Sequence, residues 1–164
     1  MGYLLDADVF IRAKNLHYGF DFCPAFWEWL IENNKASIVF SVEKVGDEVL
    51  AVGDELSDWA ADRGPGFFLP PDASDFPSLA AVSVWATGQQ YEPSAVNTFL
   101  QVADYYLVAQ AHAGKHVVVT HEVPSASTRK IKIPDACIGL KIKCMSPYEM
   151  LRRERARFVL GPAR

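Results

Sequence analysis

Tyr3-Leu4-Leu5-Asp6-Ala7-Asp8-Val9-Phe10-Ile11 is the stretch whose reading decides the fold. An apolar run without polar alternation is the pattern of a strand buried on both faces of a parallel sheet. Open α/β sheets hold their ligands at the carboxyl ends of such strands. The run therefore predicts a central strand, with Asp6 at the functional rim. Asp8 adds a second carboxylate two residues on, and like charges so close are costly unless a cation or a proton is shared. The pair points to a divalent metal. The plainer reading of either acid is an N-cap for the helix that follows, because Asp is favoured in that position.

Outward from this stretch, composition narrows the class. A chain of 164 residues suits one domain, 1–164. A domain of that length buries roughly 70% of its unfolded surface and needs no disulfide. Half of the residues are hydrophobic. Yet no uncharged stretch reaches the roughly 18 residues that span a bilayer, and no basic segment precedes an apolar one at the start. The expectation is a soluble cytoplasmic protein with no membrane partner. Cys23, Cys137 and Cys144 are an odd set without framework spacing, which fits free thiols in a reducing compartment. The net charge of −4, from 20 acids against 16 bases, excludes a module that binds nucleic acid by bulk charge alone. Two divalent ions at an acidic site would bring that balance to neutral.

Along the chain, Cys23–Glu32 reads as a helix opened by Pro24, its aromatics at core spacing. Ala36–Ser41 reads as a strand, and Val42–Arg63 as a helix with a break at Gly53. Glu43 and Glu48 lie early in that helix, near the same rim as Asp6. Gly64–Pro77 is too rich in proline for helix or sheet interior and reads as a loop, a candidate lid whose Phe67 and Phe68 tuck into the core. Ser78–Gln90 reads as a helix, and a further helical region runs from Pro93 to Gly114. Asp104 is the one acid in the apolar part of that region, and a carboxylate there wants a cation. Lys115–Thr120 is the strongest strand signal. Thr120 and Glu122 then stand at its carboxyl end. The loop 124–134 carries Arg129, Lys130 and Lys132, suited to holding a phosphate backbone, just before Asp135. Leu140–Met145 reads as a last strand and Ser146–Arg157 as a C-terminal helix.

The order of these acids resembles the PIN domain superfamily of nucleases over essentially the full length. Leu5-Asp6-Ala7-Asp8-Val9-Phe10-Ile11 is similar to its opening motif, and Ser41 with Glu48 seven residues on matches the spacing of its second. Ala103-Asp104-Tyr105-Tyr106-Leu107-Val108-Ala109 is similar to the third, and Val118-Val119-Thr120-His121-Glu122 to the fourth, with Glu122 where Asp is commoner. Lys132-Ile133-Pro134-Asp135-Ala136-Cys137 resembles an uncharacterised PIN-like branch in which Asp135 stands near the site. The resemblance implies a three-layer, Rossmann-like α/β fold, its central, mostly parallel sheet of about five strands flanked by helices. It also implies a metal-dependent ribonuclease of the kind found as the toxin of a toxin-antitoxin pair, with RNA as substrate and a cognate antitoxin or a second copy as partner.

The ligand types give the chemistry. Hard oxygen ligands select Mg²⁺ or Mn²⁺, which need few carboxylates and keep several waters. Asp6 and Asp104 are the expected direct ligands and Glu48 the next. Glu122, Asp135 and Asp8 compete for the remaining acidic role, with Ser41, Glu43 and Thr120 as auxiliaries. A haloacid-dehalogenase-type phosphotransferase, with Asp6 as covalent nucleophile, also opens on Asp-x-Asp. It expects Thr or Val where this chain has Phe10, and a late acid pair where this chain has only Asp135. A third reading is a PIN-like scaffold without catalysis that binds RNA or protein, against which stand the filled acidic positions. A zinc site is weaker still, since Gly114 ends the helix between His112 and His116 and the cysteines lack ligand spacing.

Overall fold

The computed structural model describes residues 1–161. β1 (Tyr3–Leu5) is wholly buried and ends just before Asp6, which stands at its carboxyl end as expected. Asp6 turns the chain: its Oδ1 accepts from the Ala7 amide at 2.7 Å, and α1 (Ala7–Arg12) follows. Val9, Phe10 and Ala13 fall on one helical face and fill the core, so the second half of the run is buried by helical period and not as strand. A π-turn, Ala13–His17, extends α1 before α2 (Pro24–Lys35).

β2 (Val39–Val42) leads directly into α3 (Glu43–Val52), and Gly53, at φ +74°, breaks the helix where expected. Asp54 caps α4 (Glu55–Ala61). The proline-rich segment is not a lid. It supplies edge strand β3 (Phe68–Leu69) and a single 3₁₀ turn, and Phe67 and Phe68 are both core residues. A two-residue strand at a sheet edge tolerates flanking prolines that an interior strand does not. α5 (Phe76–Gly88) follows. The region from Pro93 is two helices, α6 (Pro93–Phe99) and α7 (Ala103–Gly114), separated at 100–102. That separation makes Ala103 and Asp104 the first turn of a helix. β4 (Val117–Val119) precedes the basic loop, and α8 (Ile133–Leu140), unexpected from the sequence, precedes β5 (Cys144–Met145) and α9 (Pro147–Arg153).

The five strands form one sheet in the order β3-β2-β1-β4-β5, and every pairing is parallel. Tyr3 lies opposite Val39 on one side and Val117 on the other; Leu5 lies opposite Val119. Helices flank the sheet, in the three-layer Rossmann-like arrangement. α7 packs on β2 and β4 and against α3, α5 and α8, which fixes its first turn over the sheet's carboxyl edge. Among the described residues no helix is long and apolar enough to cross a membrane. Cys137 is buried, Cys23 and Cys144 are half-buried, and all three are free thiols.

Candidate functional site

After β1 the chain builds outward to β2 and β3, then returns to build β4 and β5 on the other side. The crevice between the carboxyl ends of β1 and β4 is therefore the topological switch point, where sheets of this kind bind ligands. Asp6 stands there, its amide donating to the Val119 carbonyl at 2.9 Å. Thr120 stands beside it, and its hydroxyl donates to Asp6 Oδ2 at 2.8 Å while accepting from the Glu122 amide at 3.1 Å. Both side chains are nearly inaccessible, Asp6 at 6% and Thr120 at 2% exposure. Asp8, in the first turn of α1, accepts from the His121 amide at 3.4 Å.

Burial pushes Asp6 well above the usual carboxylate range, and the charges of Asp8, Asp104 and Glu122 push it further, against the Thr120 hydrogen bond. Asp104, in the first turn of α7, is raised to about 6 by burial, then by Glu122 and Glu48, while Lys130 pulls it down. Glu48 is raised by lost solvation, against the pull of the Ala103 backbone. Glu122 caps α8, accepting from the Ile133 amide at 2.9 Å. Asp6, Asp8, Asp104 and Glu122 thus act on one another's charge at this rim, and Glu48, exposed on α3, acts on Asp104.

The remaining expected residues are placed differently. Asp135 accepts from the Ser125 amide at 3.0 Å and lies by Tyr91, whose hydroxyl is raised by burial and by that carboxylate. Ser125 in turn accepts from the Ser127 amide and Ser127 from the Arg129 amide, so Asp135 anchors the loop that presents Arg129. Ser41 is fully buried and donates to the Leu5 carbonyl at 2.6 Å, stitching β2 to β1 below the rim. Glu43 is exposed and lines a separate surface cavity with Asp47 and Leu50. Arg129 and Lys130 are exposed and border a cavity that reaches Asp104; Lys132 is the half-buried N-cap residue of α8.

Two parts of the neighbourhood have no counterpart in the sequence reading. One is the wall of that cavity, from α6 and the segment around Ile131. The other is a ring cluster beside Asp8: His17, His121 and Tyr148 lie 5.6–5.7 Å apart between centroids, and Tyr148 Oη is 3.0 Å from His17 Nε2. No local signal marks His17, because the π-turn that delivers it has no sequence signature comparable to a cap.

Asp6, Asp8 and Glu122 accept backbone or hydroxyl hydrogen bonds, which satisfy lone pairs without neutralising charge. Lys130 is the one cation that acts on Asp104 among its dominant neighbours. Carboxylates are the ligand type that a hard divalent ion takes. Among the described residues no three His, Cys, Asp or Glu side chains are already gathered as a metal-holding group. Mg²⁺ does not need one, since it binds through one or two carboxylates and keeps its waters. No curated protein and no solved structure matches the chain. A family model covers residues 3–158, from the first residue of β1 to beyond α9, and the chain belongs to that family, described as a domain of unknown function (DUF4411).

Proposed function

We propose that the protein is a metal-dependent endoribonuclease of PIN-like type, hydrolysing RNA phosphodiester bonds with Mg²⁺ or Mn²⁺. The observation that carries the reading is the buried Asp6 at the switch point, raised by burial and by three further carboxylates, with no base paired to it among the described residues. A group held that way serves a cation or a proton. Asp6 and Asp104 would hold the ion directly, with Glu48, Glu122 and Asp8 reaching it through water. Thr120 orients Asp6, and Asp135 acts at one remove by anchoring the basic loop. When bound, the divalent ion supplies an activated water and stabilisation of the leaving oxygen. Arg129, Lys130 and Lys132 would hold the RNA backbone. The biological role that goes with this reading is the toxin of a toxin-antitoxin pair, with an antitoxin or a second copy as partner.

The test is cleavage of single-stranded RNA by purified protein in Mn²⁺, giving 5′-phosphate ends. Replacing a residue behind the ligands typically costs 10–100-fold, so Asp6→Asn and Asp104→Asn, acting on the ligands themselves, should each cost about 100-fold or more. The double variant should be little worse than either single one, since both acids act on the same ion. If the wild type cuts no RNA in a broad panel and gains no thermal stability from Mn²⁺, the nuclease reading fails and a binding scaffold replaces it.

A further inference from the structure

Lys141, at φ +58°, closes α8 in the left-handed conformation that ends many helices, and only residues 141–143 separate α8 from β5. The Ile142 amide donates back to the Cys137 carbonyl at 2.8 Å, and β5 packs against α8. This turn brings Cys144, the first residue of β5, beside Cys137 on α8. The two thiols share a hydrogen bond in which Cys137 donates and Cys144 accepts. The bond raises the Cys137 thiol, with burial adding to it, and lowers that of Cys144 against burial and the charges of Glu122 and Glu149. Cys137 is completely buried and Cys144 half-buried, so a reagent from solution meets Cys144 first. Thiolate zinc sites take three or four ligands, and among the described residues no third His, Cys, Asp or Glu joins this pair as a metal-holding group. An accessible sulfur that accepts from a sheltered one is instead the arrangement of an attacked thiol and its resolving partner.

We propose that Cys137 and Cys144 are a redox modification site, joined by a reversible disulfide when the protein meets a hydroperoxide. The Cys144 thiolate attacks one oxygen of hydrogen peroxide, the O–O bond breaks, and the departing hydroxide takes up the thiol proton as water. Cys144 is left as a sulfenic acid. The Cys137 sulfur then attacks the Cys144 sulfur, the S–S bond forms, and the sulfenic oxygen leaves with the Cys137 proton as a second water. One peroxide is thus reduced to two waters while two thiols are oxidised to one disulfide. A dithiol reductant reverses the step by thiol–disulfide exchange, so the bond is a transient one in a reducing compartment. Cys144 lies opposite Val118 on β4, and α8 begins at the amide capped by Glu122. The disulfide therefore fastens α8 to the sheet next to the strand that delivers Thr120. None of this depends on the nuclease reading.

The test treats the reduced full chain with hydrogen peroxide, blocks the remaining thiols with a maleimide under denaturing conditions, and reads the mass. Reduced protein should take up three maleimides, one for each of Cys23, Cys137 and Cys144. Peroxide-treated protein should take up one, at Cys23, and its peptide map should show Cys137 linked to Cys144 within one chain. Dithiothreitol should restore all three. Cys137→Ser keeps a hydrogen-bond donor for Cys144 but cannot resolve it, so peroxide should then leave a sulfenic acid on Cys144 that dimedone labels. Cys23, at the start of α2, is half-buried too and gives the comparison: Cys23→Ser should leave the link unchanged. Oxidation of Cys23 ahead of Cys144, a link between chains, Cys144 carried to sulfinic acid without a link, or three free thiols after peroxide each overturns the proposal.

Discussion

Asp104 shows what a carboxyl held in the crevice costs the fold. Its pKa is raised to about 6 from an ordinary 3.8, so the folded state favours the protonated form. The stability this contributes is fully present below about pH 4 and is lost as pH rises through 6; Asp6 acts with the same sign. The gap sets a ceiling of about 3 kcal/mol for Asp104. In EDTA, Asp104→Asn should therefore gain stability over the wild type as pH rises from 4 to 7, by 1–3 kcal/mol as an order of magnitude. Urea unfolding of both proteins across that range checks the sign, and a constant difference would mean that the carboxyl is not held in the crevice as described. Adding Mn²⁺ at pH 7 should reverse the order, because the ion stabilises the carboxylate that its absence penalises.

Two glycines show what the helices demand of one another. A Cβ on Gly139 in α8 would overlap the indole nitrogen of Trp85 on α5, whereas one on Gly88, at the end of α5, meets nothing. The first glycine permits close approach of two helices; the second only adds freedom to the unfolded chain. Gly139→Ala should therefore cost about 1–3 kcal/mol through overpacking, and Gly88→Ala should be neutral or stabilising by up to about 1 kcal/mol. Denaturation midpoints of the two variants give the comparison, and equal effects would show that α5 and α8 do not meet through Gly139. α8 also carries Asp135 and begins at the amide capped by Glu122, so loosening it disturbs the crevice and the basic loop together.

At the scale of the whole molecule, the acidic crevice and the basic loop are two local concentrations of charge on a chain whose net charge is −4. If the loop holds phosphates, replacing Arg129, Lys130 and Lys132 by Ala should weaken RNA binding. The slope of log affinity against log salt should fall by about 2, at roughly 0.7 for each phosphate no longer held. Metal binding, measured in parallel by calorimetry, should remain; an unaltered salt slope would reduce the loop to solvated surface. Much of this was legible in the chain itself. Val117–Val119, Gly53 as a helix break, Pro24 as a helix start and Asp104 as an acid in apolar company are local signals, set by β-branching, positive φ, a missing amide and hydrophobic context. Leu5–Ile11 was not, because a short apolar run satisfies strand and helix alike and only the Asp6 cap ends the strand. β3 was hidden for a related reason: two residues at a sheet edge carry too little pattern to outweigh the prolines around them. The sequence by itself determined that acids would follow buried strands in a parallel α/β sheet. Only tertiary structure decided which acids meet, since Asp6 and Thr120 are joined through the register of β1 on β4, and Asp135 is turned from the crevice to the loop by the packing of α8.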